Sequence, residues 1–435
     1  MKKSLVATLL VALLASSMVF AGFSGSASIG AGVNLDTKEY GFLNQGTNVK
    51  FNIDLTTASA EKQADGDVYA SIKASLSVFV LNDQKDGSAP ADPITAPLNV
   101  VAKISEAKIA GKDWYVSILG VPSGLDFAKS PIDTWKVDAK DKYGVKQPKE
   151  EKKASFSIPY AKAPGVEVGL LGYTFGFGYK ATGTNDDLFT KLQVSAFAKS
   201  PEYTVMEGLK VQAGVQYAAD KVDADKTKNT NAFGGSVNVS FAKDPIKASI
   251  ATDLGYNAVT EKFDADVLFN FGYDFLTVDA YYASNVTINS VATKNYISAK
   301  VKADLASFNL PLTVTATVKD IASEDKKQDI SASVAYKGEG YTAEVGGGYN
   351  VGTEIWNVYG KGTLKISAFD VFAGVKVAKN TANEAKVGLM PYVGAKTEKL
   401  IPGATLTASW IGDDFGADVL AKKYGTIQAT CKIAF

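Results

Sequence analysis

The sequence predicts an all-β protein, a transmembrane antiparallel up-and-down β-barrel of about 22 strands (roughly 18–22) with both termini on the periplasmic side. Three observations predict it. Apolar and polar residues alternate with a period of two along nearly the whole chain after residue 22. The connectors between alternating segments take turns being short and long. Residues 1–21 read as an export signal.

Taken in chain order, Lys2 and Lys3 form a basic start, Leu5 to Leu14 an apolar stretch, and Val19-Phe20-Ala21 a small-residue cleavage pattern. Residues 1–21 are therefore expected to be removed, leaving 22–435 as the barrel. No later run approaches about 18 consecutive apolar residues, so no membrane-spanning helix is expected. The strands follow as dyads. At 48–56, Val49, Phe51, Ile53 and Leu55 alternate with Lys50, Asn52, Asp54 and Thr56. Ile72, Ala74, Leu76 and Val78 form one face at 67–78, and Ile246, Ala248, Ile250 and Leu254 one at 245–256. At 262–273, Phe263, Ala265, Val267, Phe269 and Phe271 oppose Asp264, Asp266 and Asn270. At 295–308, Ile297, Ala299, Val301, Ala303 and Leu305 oppose Ser298, Lys300, Lys302 and Asp304. Each is a half-buried strand pattern.

From about residue 200 the connectors sort into two classes. The short ones, rich in Pro, Gly or Asp, lie at 242–245, 272–274, 307–311, 337–340, 367–370 and 399–403. The longer polar ones lie at 219–231, 257–262, 284–295, 321–329, 350–354 and 380–384. Short turns on one side and longer loops on the other are the habit of outer-membrane barrels. Two longer irregular stretches, 82–97 and 122–153, fall on the extracellular side by parity. A soluble sandwich offers no reason for such sorting, and an open sheet of this size would expose its edges. A closed barrel in lipid needs only one apolar face, turned outward. Aromatics toward strand ends fit an interfacial girdle: Tyr256, Tyr273, Phe275, Tyr296, Phe308, Tyr336, Tyr341, Tyr349, Phe369 and Phe435.

Composition narrows the chemistry. Basic and acidic residues balance at 46 each, so nothing points to nucleic acid. His is absent and every basic residue is Lys. That closes Ser-His and Cys-His couples, imidazole metal sites and HExxH helices. It also removes the bidentate guanidinium clamp for carboxylates or phosphates. No enzyme activity, cofactor or metal is expected. The carboxylate clusters at 185–187, 223–225 and 412–414 match no EF-hand loop. Gly176 and Gly178 stand in a strand with no helix after them, which argues against a phosphate cradle. The single Cys431 rules out an intrachain disulfide framework.

The polar parity is then expected to line the channel: Lys50, Lys73, Lys191, Lys247, Lys300, Lys302, Lys319, Lys361 and Lys365, with Asp253, Asp264, Asp266 and Asp304. Lys outnumbers the acids, which predicts a mild preference for anions. The 122–153 stretch is a candidate constriction loop through Lys129, Asp133, Lys136, Asp138 and Lys140; the competing reading is an ordinary surface loop. The chain closes on Ile427, Ala429, Cys431, Ile433 and Phe435 facing one way, so this strand is expected to face lipid and pair with the one near 23–35. The terminal Phe435 resembles the signal that barrel-assembly machinery reads.

Three stretches, 34–55, 66–76 and 105–128, resemble the spirochaete major outer sheath protein family, which includes the treponemal repeat proteins. The region around 172–183 and the closing residues 431–435 are similar in style. The resemblance implies an outer-membrane porin, a homotrimer in many members, and surface adhesion to host matrix proteins. Some members are described as bipartite, with a periplasmic N-terminal part; the periodicity here favours one large barrel. The expected function is a general diffusion porin, with small hydrophilic solutes and ions as cargo and outer-membrane lipid as surroundings. The alternative is an adhesin that uses the barrel as a scaffold.

Overall fold

A computed structural model describes residues 23–36, 38, 40–42, 48–56, 68–79, 99–118, 120–122, 124–128, 134–140, 146–151, 164–181, 192–221, 230–288, 291–322, 328–352, 354, 356–379, 387–412 and 424–434. Among them the chain is β throughout, apart from one 3-10 turn at Leu305–Phe308. The strands are β1 (Phe23–Asn34), β2 (Tyr40–Phe42), β3 (Asn48–Thr56), β4 (Tyr69–Phe79), β5 (Asn99–Ala110), β6 (Trp114–Ile118), β7 (Thr134–Lys140), β8 (Lys146–Glu151), β9 (Gly165–Leu170), β10 (Tyr173–Ala181), β11 (Leu192–Lys199), β12 (Tyr203–Met206) and β13 (Leu209–Lys221). They continue as β14 (Thr230–Lys243), β15 (Ile246–Asn257), β16 (Lys262–Tyr273), β17 (Leu276–Ile288), β18 (Val291–Asp304), β19 (Leu312–Lys319), β20 (Asp329–Lys337), β21 (Tyr341–Asn350), β22 (Trp356–Ile366), β23 (Phe369–Lys379), β24 (Val387–Thr397), β25 (Ala404–Ile411) and β26 (Thr426–Ala434).

One sheet takes 24 of these strands, and β7 and β8 form a separate two-stranded hairpin. β2 and β3 pair with different parts of β1, Ala31 opposite Phe42 and Ser26 opposite Lys50, so they act as one interrupted strand. β11 and β12 share β13 in the same way. Their break is at Ser200-Pro201-Glu202, where proline cannot donate to a ladder. Counting each interrupted pair once leaves 22 positions. Every described neighbour pair is antiparallel. β1 pairs with β3 on one side and with β26 on the other, Val33 opposite Ile427 and Ala27 opposite Ile433. The ladder thus returns to its first strand, while the short pieces β2 and β12 pair on one side only.

A clasp pins this seam. Leu35 N–H donates to Gly425 O at 2.9 Å. The Asp36 carboxylate accepts from the backbone N–H groups of Tyr424 and Gly425, the latter at 3.1 Å.

Antiparallel order puts Phe23 and Ala434 at one end of the ring. That end carries tight turns, including 171–172, 207–208, 244–245, 274–275 and 367–368. Leu171 (φ 51°) and Gly172 (φ 84°) are both left-handed, as the favoured two-residue hairpin turn requires. The opposite end carries 80–98, 119–164, 182–191, 222–229 and 412–425. The link at 57–68 is the long exception at the turn end. One expectation fails in detail. The 284–295 stretch is not a loop, because β17 runs to Ile288 and β18 begins at Val291, with Val286 opposite Thr293. Its residues keep the alternation, so the hairpin simply extends.

The two faces differ as the dyads require. On one face Ile250, Leu254, Phe269, Val301, Val334, Val345, Val375 and Val393 stand exposed. The other is polar, and its few apolar members are aromatics, Gly, Ala and the occasional Leu or Ile. Buried apolar packing is correspondingly small. One cluster joins Ala378 and Ile411 with Tyr392 against them. Aromatics gather at both rims of the apolar face. At the turn end Tyr336 stacks on Tyr341 (5.1 Å, 22°) and Phe275 meets Phe308 edge-on at 5.0 Å. Tyr256 and Tyr349 stand exposed at the other end. Tyr296 departs from the expected girdle: it lies on the polar face, fully buried, 6.2 Å from Tyr281. Phe435 lies outside the described residues.

Candidate functional site: the polar face and the segment upon it

Cross-strand register assembles the polar face residue by residue, because side chains directly opposite one another point the same way. Lys50 stands opposite Ser26 and Ser77, and Lys73 opposite Asp54 and Glu106. Lys300 faces Asp279, Lys361 faces Glu344, Lys365 faces Asp370, and Lys319 faces Asp329. Asp304 faces Thr313, and Asp264 faces Gly255. Lys247 has Ala242 and Gly272 as neighbours, and Lys302 has Thr277 and Thr315, so the cross-strand neighbours of these two lysines are uncharged. All the sequence-predicted lining residues within the described residues therefore share one face. Lys191, Lys129 and Asp133 lie outside the described residues. Lys136, Asp138 and Lys140 lie in β7, in the hairpin separate from the ring.

Several of these pairs are made. Lys361 Nζ is 2.7 Å from Glu344 Oε2, while Tyr359 OH donates to Glu344 Oε1 at 2.6 Å. Lys73 Nζ is 3.3 Å from Glu106. Ser249 Oγ donates to Asn270 Oδ1 at 3.1 Å, and Asn270 Nδ2 to Asp279 Oδ1 at 2.8 Å, which ties three strands at the level of Lys300. Lys396 Nζ is 2.6 Å from Glu398, and that hydrogen bond holds the turn carboxyl below its ordinary range. Such half-exposed pairs contribute at most about 1 kcal/mol each, but they cancel charge locally.

Aromatic rings on this face lie over glycines directly across the ladder. Tyr115 covers Gly169, Phe197 covers Gly176 and Tyr392 covers Gly374, so a Cβ at any of these glycines would overlap the ring. Lys108 Nζ sits 4.1 Å over the Tyr115 ring, whose OH donates to Glu167 at 2.8 Å.

The main surprise is on β13–β16. The segment 124–128, part of the link between β6 and β9, packs onto the polar face there. Leu125 N–H donates to Gln216 Oε1 at 2.8 Å. Phe127 N–H donates to Asp253 Oδ1 at 3.2 Å and Ala128 N–H to Asp253 Oδ2 at 2.8 Å. Leu125 is 5% exposed and Ala128 0%. The Leu125 side chain fills the space above Gly214, where a Cβ would meet it at 2.7 Å. Asp253 (1% exposed) and its cross-strand partner Asp266 (0%) thus lie on the expected face but are covered, not open to water. Tyr281 OH donates to Asp266 Oδ2 at 2.9 Å. Sequence reasoning sought the inward contact at residues 129–140 because charge is concentrated there. Leu125, Phe127 and Ala128, an apolar patch in a charged stretch, were the available signal. Gln216 gave none.

No family model matches the chain, and no curated protein matches it. Among solved structures it is similar to the translocation pore of the P pilus usher PapC, with 10% identity over 95% of this chain and 99% of that one and a TM-score of 0.44. It is also similar to mutants of the Rh. blastica porin, one of them with 12% identity over 95% and 99% of the two chains and a TM-score of 0.33. Similarity at this level says nothing of activity or partners, and the resemblance to the spirochaete family has no counterpart among these matches.

Proposed function

We propose that this chain is a diffusion pore of a bacterial outer membrane. Its apolar face meets lipid, and its polar face lines a water-filled lumen open to small hydrophilic solutes and ions. The observation that carries the reading is the split of the strands into an exposed apolar face and a polar one, repeated along a ladder whose first strand pairs with its last. In water that apolar belt would be one continuous sticky surface. In a bilayer it is what a wall needs, since a closed ladder lets neighbouring strands satisfy one another's backbone groups. The aromatic rims fall where headgroups would lie. Residues 1–21 act as the export signal, and Phe435 as the mark for barrel assembly. No catalytic step belongs to this function.

The lumen prefers anions mildly. Lys247 and Lys302 have uncharged cross-strand neighbours, whereas Lys73, Lys300, Lys361 and Lys365 each face a carboxylate and contribute less. The test is planar-bilayer recording of the purified protein under a roughly tenfold salt gradient. Discrete conductance steps with a small reversal potential of anion sign are expected. Absence of steps overturns the pore, and a clear cation sign overturns the anion preference alone.

A further inference from the structure

We infer that residues 124–128 are a latch on the polar face, that the in-register carboxylates Asp253 and Asp266 are its catch, and that the pore passes more current when the catch is neutralised. This rests on the pore reading above. The hold is narrow. The segment belongs to no strand, and the side chains that accept its backbone N–H groups at Leu125, Phe127 and Ala128 are Gln216 and Asp253. Both Asp253 oxygens are engaged by main-chain donors, and bonds of this charge-assisted kind weaken when the acceptor loses its charge.

The surroundings of that carboxylate are buried and hold no cation. Asp253 is flanked in register by Ser236 on β14 and Asp266 on β16, both buried. Asp266 Oδ1 and the Ser236 hydroxyl find no hydrogen-bond partner among the described residues. The titratable and charged groups that face the pair are Asp126 on the segment, Tyr281 on β17 and Asp264 two places along β16. The neighbouring rows offer no cation: Gly234, Gly255 and Asp264 on one side, Asn238, Ala251 and Leu268 on the other. Like charges directly opposite on a sheet repel. Removing the charge of Asp253 weakens the acceptor that holds Phe127 and Ala128, while the Leu125 bond to Gln216 and its packing against Gly214 remain.

The experiment uses the full chain, with Cys431→Ser as background, in bilayers at about pH 7 and about pH 3, which brackets ordinary carboxylate titration. The parent should gain conductance on acidification by roughly twofold. Asp253→Asn should show the acid level at both pH values. Asp266→Asn leaves the Asp253 acceptor and both its main-chain donors in place and should keep the parent's level at neutral pH. The double variant L125C/G214C, once oxidised, should stay at the neutral-pH level in acid and regain the response on reduction. An Asp253→Asn variant indistinguishable from the parent, or an oxidised tether that still responds to acid, overturns the latch. If no variant conducts, the pore reading falls separately, and the latch is still read by disulfide yield at neutral pH. A lower yield when Asp253→Asn is added to L125C/G214C supports it, and an equal yield overturns it.

Discussion

At the middle of β13–β16 the polar face is covered. Asp253, Asp266, Ser236 and Gln216 are buried beneath or beside a segment of chain that belongs to no strand. Across β20–β24 the same face is open. Lys361 and Lys365 stand exposed and Lys396 half-exposed, paired with Glu344, Asp370 and Glu398 or opposite them, and aromatic rings lie over Gly374 and Gly394. Both arcs carry the same dyad pattern and the same apolar outer face. Alternation decides which way a side chain points. What then meets it is decided by parts of the chain far away in sequence.

The largest expected effect tests what the arcs share. A Lys at the middle of the outer face costs about 2–4 kcal/mol in a bilayer. Val237→Lys on β14 and Val375→Lys on β23 should each lose that much, read from denaturant midpoints of the protein refolded into vesicles. Equal losses follow if both arcs face lipid at the same depth. A loss confined to one arc would mean that the other arc's apolar face is covered by protein, as in an oligomer.

This difference between arcs also explains what the sequence could and could not reveal. Facing was legible in β15, β16 and β18, where one dyad set is apolar and the other carries Asp, Asn or Lys. It was less so at Leu268, Phe197, Phe372 and Ile411, which register places on the polar face. The pattern there reports burial beside glycines, other aromatics or the latch, not lipid. The pairing of the first strand with the last was legible because both are dyads and the strand count is even. The Asp36 clasp was not, since its partners are backbone groups nearly the whole chain away. The 124–128 contact was hidden for the same reason: a backbone N–H bound to a carboxylate leaves no mark on the sequence of either partner.

A middle-sized effect separates the arcs. Gly374 lies under the Tyr392 ring, both within the ladder, so Gly374→Val must push a ring anchored in the wall and should cost about 1–3 kcal/mol. Gly214 lies under Leu125, which the latch can lift away at the loss of its own contacts. Gly214→Val should cost less in unfolding and instead weaken the hold on 124–128. Protease sensitivity of that segment in the folded protein is the measurement. Equal unfolding costs with the segment still protected would mean that 124–128 is as fixed as the wall.

The smallest effect concerns the open arc alone. Lys361 is half exposed and its pair with Glu344 is screened by water, so Lys361→Met should cost less than about 1 kcal/mol. Selectivity should move more visibly than stability, because Glu344 keeps its bond from Tyr359 but loses its counter-charge. Lys302→Met is the control, with threonines on both sides. Its stability should stay within about 0.5 kcal/mol of the parent, while the reversal potential shifts toward cations because a charge with no acidic partner across the ladder is gone. A larger selectivity shift for Lys361 than for Lys302 would mean that the Glu344 pair dominates the field in the lumen, and that the isolated lysines are too far from the permeation path to matter.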